Sequence, residues 1–119
     1  MNEQTDELGI VAKLCVEQWK LLQRFSKAIE LVPEADRSRL AAQIRYSELQ
    51  LQSLASEAGL KLVTFDGEAF GAGVPATADN LEDFAEEEGL IVEKTIEPAV
   101  VRDMRVIKSG RVLLATQNQ

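Results

Sequence analysis

A chain of 119 residues has room for one ordinary domain, or for a small core carrying a helical arm, but not for a large internal pocket. Its net charge of −7 argues against nucleic acid, whose affinity comes mostly from Lys and Arg neutralising phosphates, and equally against an anionic membrane surface. Hydrophobic residues make up 45% but aromatics only 5%, so any core is built mainly from Leu, Val, Ile and Ala.

The first predicted helix runs from about Thr5 to Val32, with Thr5 or Asp6 as N-cap and acidic residues in the first turn. Apolar residues recur at Leu8, Val11, Cys15, Leu22, Phe25, Ile29 and Val32, a heptad-like stripe broken once by Gln18. Leu14, Trp19, Leu21 and Ala28 widen it on both flanks, beyond what a two-stranded seam needs. Pro33 ends the helix and opens the next one. The second stripe is Leu40, Ile44, Leu51, Leu54 and Ala58, with Ser47 at an interior-looking position and Gly59 as the stop. So short a connection predicts an antiparallel hairpin. Two stripes this wide cannot both be buried in one hairpin, and pairing with a second copy into a four-helix bundle is the economical solution. The dimerisation set is therefore Leu8, Val11, Cys15, Leu22, Phe25, Ile29, Leu40, Ile44, Leu51 and Leu54.

After Gly59 the period becomes strand-like. Residues 60–65 form a strand candidate, Asp66-Gly67 a turn, and 71–75 a loop. Residues 80–88 read as one polar helical turn or loop stopped by Gly89. Strand candidates follow at 90–96, at 99–101 extending toward Arg102, and at 111–116, with Val106-Ile107 between the last two and Pro98 at a strand end. The predicted class is α+β: a helical dimerisation region over 1–59 and a small β domain over 60–119.

The chemistry is sparse. The chain has no histidine, and its one cysteine, Cys15, sits on an apolar stripe, where it behaves as a small hydrophobe. Glu86-Glu87-Glu88 lacks the alternating oxygen spacing of a calcium loop and reads as a solvated acidic face. Gly67, Gly71 and Gly73 are not followed by the Lys-Ser/Thr of a phosphate loop. No catalytic set, metal site or cofactor is expected, save that a carboxylate pair assembled at a dimer interface would be invisible in sequence. The polar, acidic start is unlike a signal peptide, a single cysteine suits a reducing compartment, and no apolar run nears the ~18 residues of a membrane span; a cytoplasmic protein is expected. The basic residues Arg102, Arg105, Lys108 and Arg111 are spaced by three, which in extended chain alternates faces. They are either solubilising, or one or two of them reach a partner's carboxylate.

The order of elements, and residues 95–115 above all, resembles the GrpE family of nucleotide exchange factors. The similar stretch runs from about Leu8 to Ala115. It includes Gly67-Glu68-Ala69-Phe70, like the short motif that opens the family's β domain, and residues 42–63, like its last bundle helix feeding a strand. The family's Gly-Tyr is Ala99-Val100 here, and its Asn-Gly-type turn is Asp103-Met104. The resemblance implies a homodimer through a four-helix bundle. It also implies a β wing that grips the nucleotide-binding domain of a DnaK-type chaperone and opens it, so that ADP leaves. The wing-contact positions would be Phe70, Ala72, Ile96, Arg105 and Leu114. A GrpE-like adaptor or structural dimer serving a different protein is the alternative.

Overall fold

The computed structural model describes residues 3–85 and 89–117. The chain is α+β and divides into two compact units, Met1–Lys61 and Leu62–Gln119. No helix among the described residues is long and apolar enough to cross a membrane.

In the first unit, helix α1 spans Glu3–Ala28 and runs into a 3₁₀ turn at Ile29–Leu31; helix α2 spans Glu34–Glu57. Because α1 is already helical at Glu3, Thr5 and Asp6 lie inside it and neither is the N-cap. Lys27 occupies the last turn of α1, where positive charge complements the helix dipole. Pro33 is extended (ψ 140°) and immediately precedes α2, as its fixed φ and missing N–H favour. The tight connection is locked by Arg37. Its guanidinium donates to the carbonyls of Val32 (2.8 Å) and Glu30 (3.1 Å), which the end of the first helical segment leaves without intrahelical partners. At the other end of α2, Gly59 takes φ 75°, the Leu60 N–H reaches the Ala55 carbonyl (2.8 Å) and the Gly59 N–H reaches Ser56 (2.9 Å). This is a Schellman stop, and Ala55 and Leu60, the two residues its hydrophobic contact links, are both buried.

The buried face of α1 is Ala12, Cys15, Val16 and Leu22; on α2 it is Ala55. The expected α2 stripe is thus rotated at its end, because Leu54 is 62% exposed and Ala55 takes the inner position.

The strands are β1 (Lys61–Val63), which begins at the last residue of the first unit, and, within the second, β2 (Ala76–Ala78), β3 (Leu90–Glu97), β4 (Ala99–Arg102), β5 (Arg105–Lys108) and β6 (Gly110–Thr116). They form two three-stranded sheets, ordered β1-β4-β5 and β2-β6-β3. Strand β6 is central in its sheet, antiparallel to β3 and parallel to β2. Its alternation points Val112 and Leu114 into a core completed by Phe65, Val92 and Ala99. The expected 111–116 strand is therefore β6, and Val106-Ile107 belongs to β5. Strand β2 lies beyond the 71–75 loop, in a stretch with no strand expectation. Only the 3₁₀ turn Leu81–Asp83 represents the expected helical segment, and Glu86, Glu87 and Glu88 lie outside the described residues.

Polar side chains hold the connections. The Thr95 hydroxyl donates to Asp66 and accepts from the Phe65 N–H (2.9 Å), while the Thr95 N–H donates to the same carboxylate (3.0 Å). The Asn80 amide donates to the Leu114 carbonyl (3.1 Å) and accepts from its N–H (2.9 Å), standing in for a strand residue where β2 has ended. Gly110 is required by close approach: a Cβ there would lie 2.7 Å from the Glu97 carbonyl oxygen and 2.9 Å from the Ala99 nitrogen.

Candidate functional site

The β4–β5 hairpin departs furthest from what local stability alone would select. Its register pairs Val101 with Val106 and Arg102 with Arg105, around a two-residue turn of Asp103 and Met104. Both turn residues have positive φ, 49° and 65°, as a type I′ turn demands and as asparagine and glycine accept most readily. Methionine carries a Cβ into that region at a cost of about 1–2 kcal/mol. It is also 100% exposed, so no intramolecular packing offsets the strain. Arg102 and Arg105 face each other directly, an unfavourable like-charge pair in an antiparallel ladder. Asp103 relieves this only in part, its carboxylate lying 3.8 Å from the Arg102 guanidinium. Val106, next along β5, is 49% exposed. The tip thus presents an apolar thioether beside two guanidiniums, with Val106 turned to the other face of β5 by strand alternation, on a chain that is acidic overall.

The other two basic residues of this region are engaged within the unit. Arg111 forks onto Asp79 (Nε–Oδ1 3.2 Å, Nη2–Oδ2 2.6 Å) and lies 3.5 Å from Glu97. Lys108 lies 3.5 Å from the other oxygen of Glu97, which is only 7% exposed. The hydrogen bond from Arg111 holds the Asp79 carboxyl below its ordinary range, and Asp79 raises Arg111 in return. Arg102 and Arg105 are therefore the pair left at the hairpin tip, and Lys108 and Arg111 are structural.

No family model, curated protein or solved structure matches this chain.

The five expected wing positions do not form one outward patch. Leu114 is 2% exposed and belongs to the core, so its assignment to a partner is corrected: the period of two along β6 turns it inward with Val112. Phe70 is half-buried and packs against the same core, and Ile96 is half-buried on β3. Ala72 and Arg105 are exposed. Met104 and Val106 were absent from that set. The signal for Met104 was in the sequence, as a methionine where the turn wants glycine.

Of the expected dimerisation residues, Cys15 and Leu22 are already buried within the single chain. Burial pushes the Cys15 thiol up, which keeps it protonated and unreactive. Leu8, Val11, Ile29, Leu40, Ile44 and Leu51 are half-buried, whereas Phe25 (54%) and Leu54 (62%) are exposed. Beside Phe25, the helices leave a cleft of about 420 Å³ lined by Leu21, Leu22, Ile29, Leu40 and Ile44 among others. Among the described residues no group of His, Cys, Asp or Glu side chains is placed to hold a metal ion.

Proposed function

We propose that this chain is a GrpE-like co-chaperone, a cytoplasmic homodimer joined through its helical unit. Its β unit binds the nucleotide-binding domain of a DnaK-type chaperone and promotes ADP release. The observation that carries this reading is the β4–β5 tip: Asp103-Met104 keeps the backbone of an Asn-Gly-type turn, and Arg105 stands exposed beside a fully exposed Met104. Strain, exposed apolar surface and opposed like charges gather at one point, as at a surface selected for binding rather than for stability. An arginine with apolar neighbours is a frequent hot spot, because the guanidinium pairs with a carboxylate while the surround excludes water. The mechanism is non-catalytic. Tighter binding to the open form of the chaperone shifts it toward the state that releases ADP.

The test is release of a fluorescent ADP analogue from a DnaK-type chaperone of the same organism. Wild type should accelerate release, and Arg105→Ala should lose about 1–3 kcal/mol of binding, roughly ten- to a hundredfold in affinity, with melting little changed. Wild type without effect on release would remove the exchange reading. A second reading, a GrpE-like adaptor for another protein, is favoured by one observation. Of the five contact positions that the resemblance implies, Leu114 is core and Phe70 and Ile96 are half-buried, so that only Ala72 and Arg105 stand exposed.

A further inference from the structure

Residues 90–116 form one long ribbon that runs through both sheets. Only Pro98 separates β3 from β4, and only Ser109 separates β5 from β6. Glu97 lies opposite Arg111 in the β3–β6 ladder, and Val100 lies opposite Lys108 in the β4–β5 ladder. Three residues forward on one strand match three back on the other, so the register crosses the junction without a slip. The β4–β5 hairpin is thus an arm continued from β3 and β6, with β1 added along its β4 edge. At the junction the ladder loses donors: Pro98 has no N–H, and the Gly110 N–H goes to the Pro75 carbonyl (3.0 Å), outside the ribbon. Side chains therefore share in setting the angle there. On the β1 edge, Phe65 and Asp66, just past β1, are hydrogen-bonded to Thr95 of β3. On the β5 edge a single carboxylate spans the bend. Glu97 Oε1 lies 3.5 Å from Lys108 Nζ on the arm, and Oε2 lies 3.5 Å from Arg111 Nη1 at the base. Arg111 is itself held by Asp79 (2.6 Å), one residue past β2.

We infer that Glu97 is the positioning residue of the β4–β5 arm: by bridging Lys108 and Arg111 it fixes the angle of the arm on the β3–β6 base, and with it the place of Arg105 and Met104. The consequence for binding rests on the co-chaperone reading above; the effect on the arm does not. Burial motivates the assignment. Glu97 is 7% exposed, and a carboxylate so far out of water is costly unless cations meet it. An ion pair in such a place adds little net stability over apolar groups of the same size, and its use is to select one conformation. The apolar contacts at the junction, Ala99 and Val100 among them, are non-directional and tolerate sliding. A carboxylate held between one cation on the arm and another on the base does not. An arm tied at its β1 edge alone can pivot about that edge, and a second tie at the opposite edge stops the rotation.

The experiment is residual dipolar couplings of the backbone amides of the full chain, for wild type, Glu97→Gln, Lys108→Gln and Lys108→Arg, with binding to the nucleotide-binding domain of a DnaK-type chaperone measured on the same samples. Lys108→Gln cuts only the tie to the arm and leaves Arg111 on both Glu97 and Asp79, so it remains informative if Glu97→Gln fails to fold. In wild type the couplings of β3–β6 and of β4–β5 should fit one alignment tensor. Both glutamine variants should need a separate tensor for β4–β5, and Lys108→Arg, which keeps the cation, should return to one. Chaperone binding should weaken by roughly three- to tenfold in Lys108→Gln, as a contact group leaves its productive position, and stay near wild type in Lys108→Arg. A single tensor in Lys108→Gln overturns the inference, as do separate tensors in wild type. Separate tensors in Lys108→Gln with undiminished chaperone binding overturn the link to Arg105 and Met104. A wild type that does not bind the chaperone, with couplings that still divide in Lys108→Gln, removes the co-chaperone reading and leaves Glu97 as the residue that sets the arm.

Discussion

Replacing Met104 with glycine should make the β unit more stable and the protein a poorer binder. At φ 65° the methionine pays about 1–2 kcal/mol for its Cβ, a cost that glycine does not bear. Glycine returns roughly 0.5–1 kcal/mol of this through the greater freedom of its unfolded chain. Met104 is fully exposed, so no packing is lost with its side chain. The net gain is about 0.5–1 kcal/mol, which for a unit this small raises the melting temperature by several degrees. Binding should move the other way. If the thioether is buried in a partner's recess, its removal costs on the order of 1.5–3 kcal/mol, or about ten- to a hundredfold in affinity. Circular-dichroism melting reads the first effect and nucleotide-release titration the second. A lower melting temperature would refute the strain argument. A higher one with unaltered acceleration would remove Met104 from the contact surface.

Three further outcomes follow from the packing. Gly110→Ala should cost about 3 kcal/mol, because the new Cβ meets backbone atoms of Glu97 and Ala99 that cannot swing aside; urea unfolding reads this directly. Leu114→Ala should cost about 2–5 kcal/mol and lower binding only as far as it unfolds the protein, which a comparison of the binding-competent fraction with the folded fraction will show. Asp79 has its pKa lowered in the folded state by Arg111, so its stabilising contribution is present above the ordinary carboxylate range and is lost as pH falls through the lowered value. Acid melting curves of Asp79→Asn should accordingly be flatter over that window than those of wild type.

Local rules were legible in the residues themselves. The 3.6-residue period, Pro33 and Gly59 delimit two helices, since each acts through its own backbone: proline by its missing N–H, glycine by accepting φ 75°. The change of period after Gly59, and the strands around Val92, Val100 and Val112, were equally readable because alternation is a property of a single strand. Alternation does not say which face is the inside. Leu114, a contact position only by the family resemblance, is core in the structure, and on helix α2 Leu54 yields its inner place to Ala55. Strand β2, Ala-Thr-Ala, has little propensity of its own and exists because β6 offers it a parallel partner, with Asn80 extending the pairing. The Arg37 clasp on Glu30 and Val32, and the sorting of four evenly spaced cations into a structural pair and a hairpin-tip pair, likewise depend on atoms brought together from distant positions. Sequence by itself determined the two helices, their stops at Pro33 and Gly59 and the longer strands, which depend on neighbours within a turn or two. Only the tertiary structure decided which side chains remain outside to meet a partner, because burial is a property of the whole packed unit and not of any one segment.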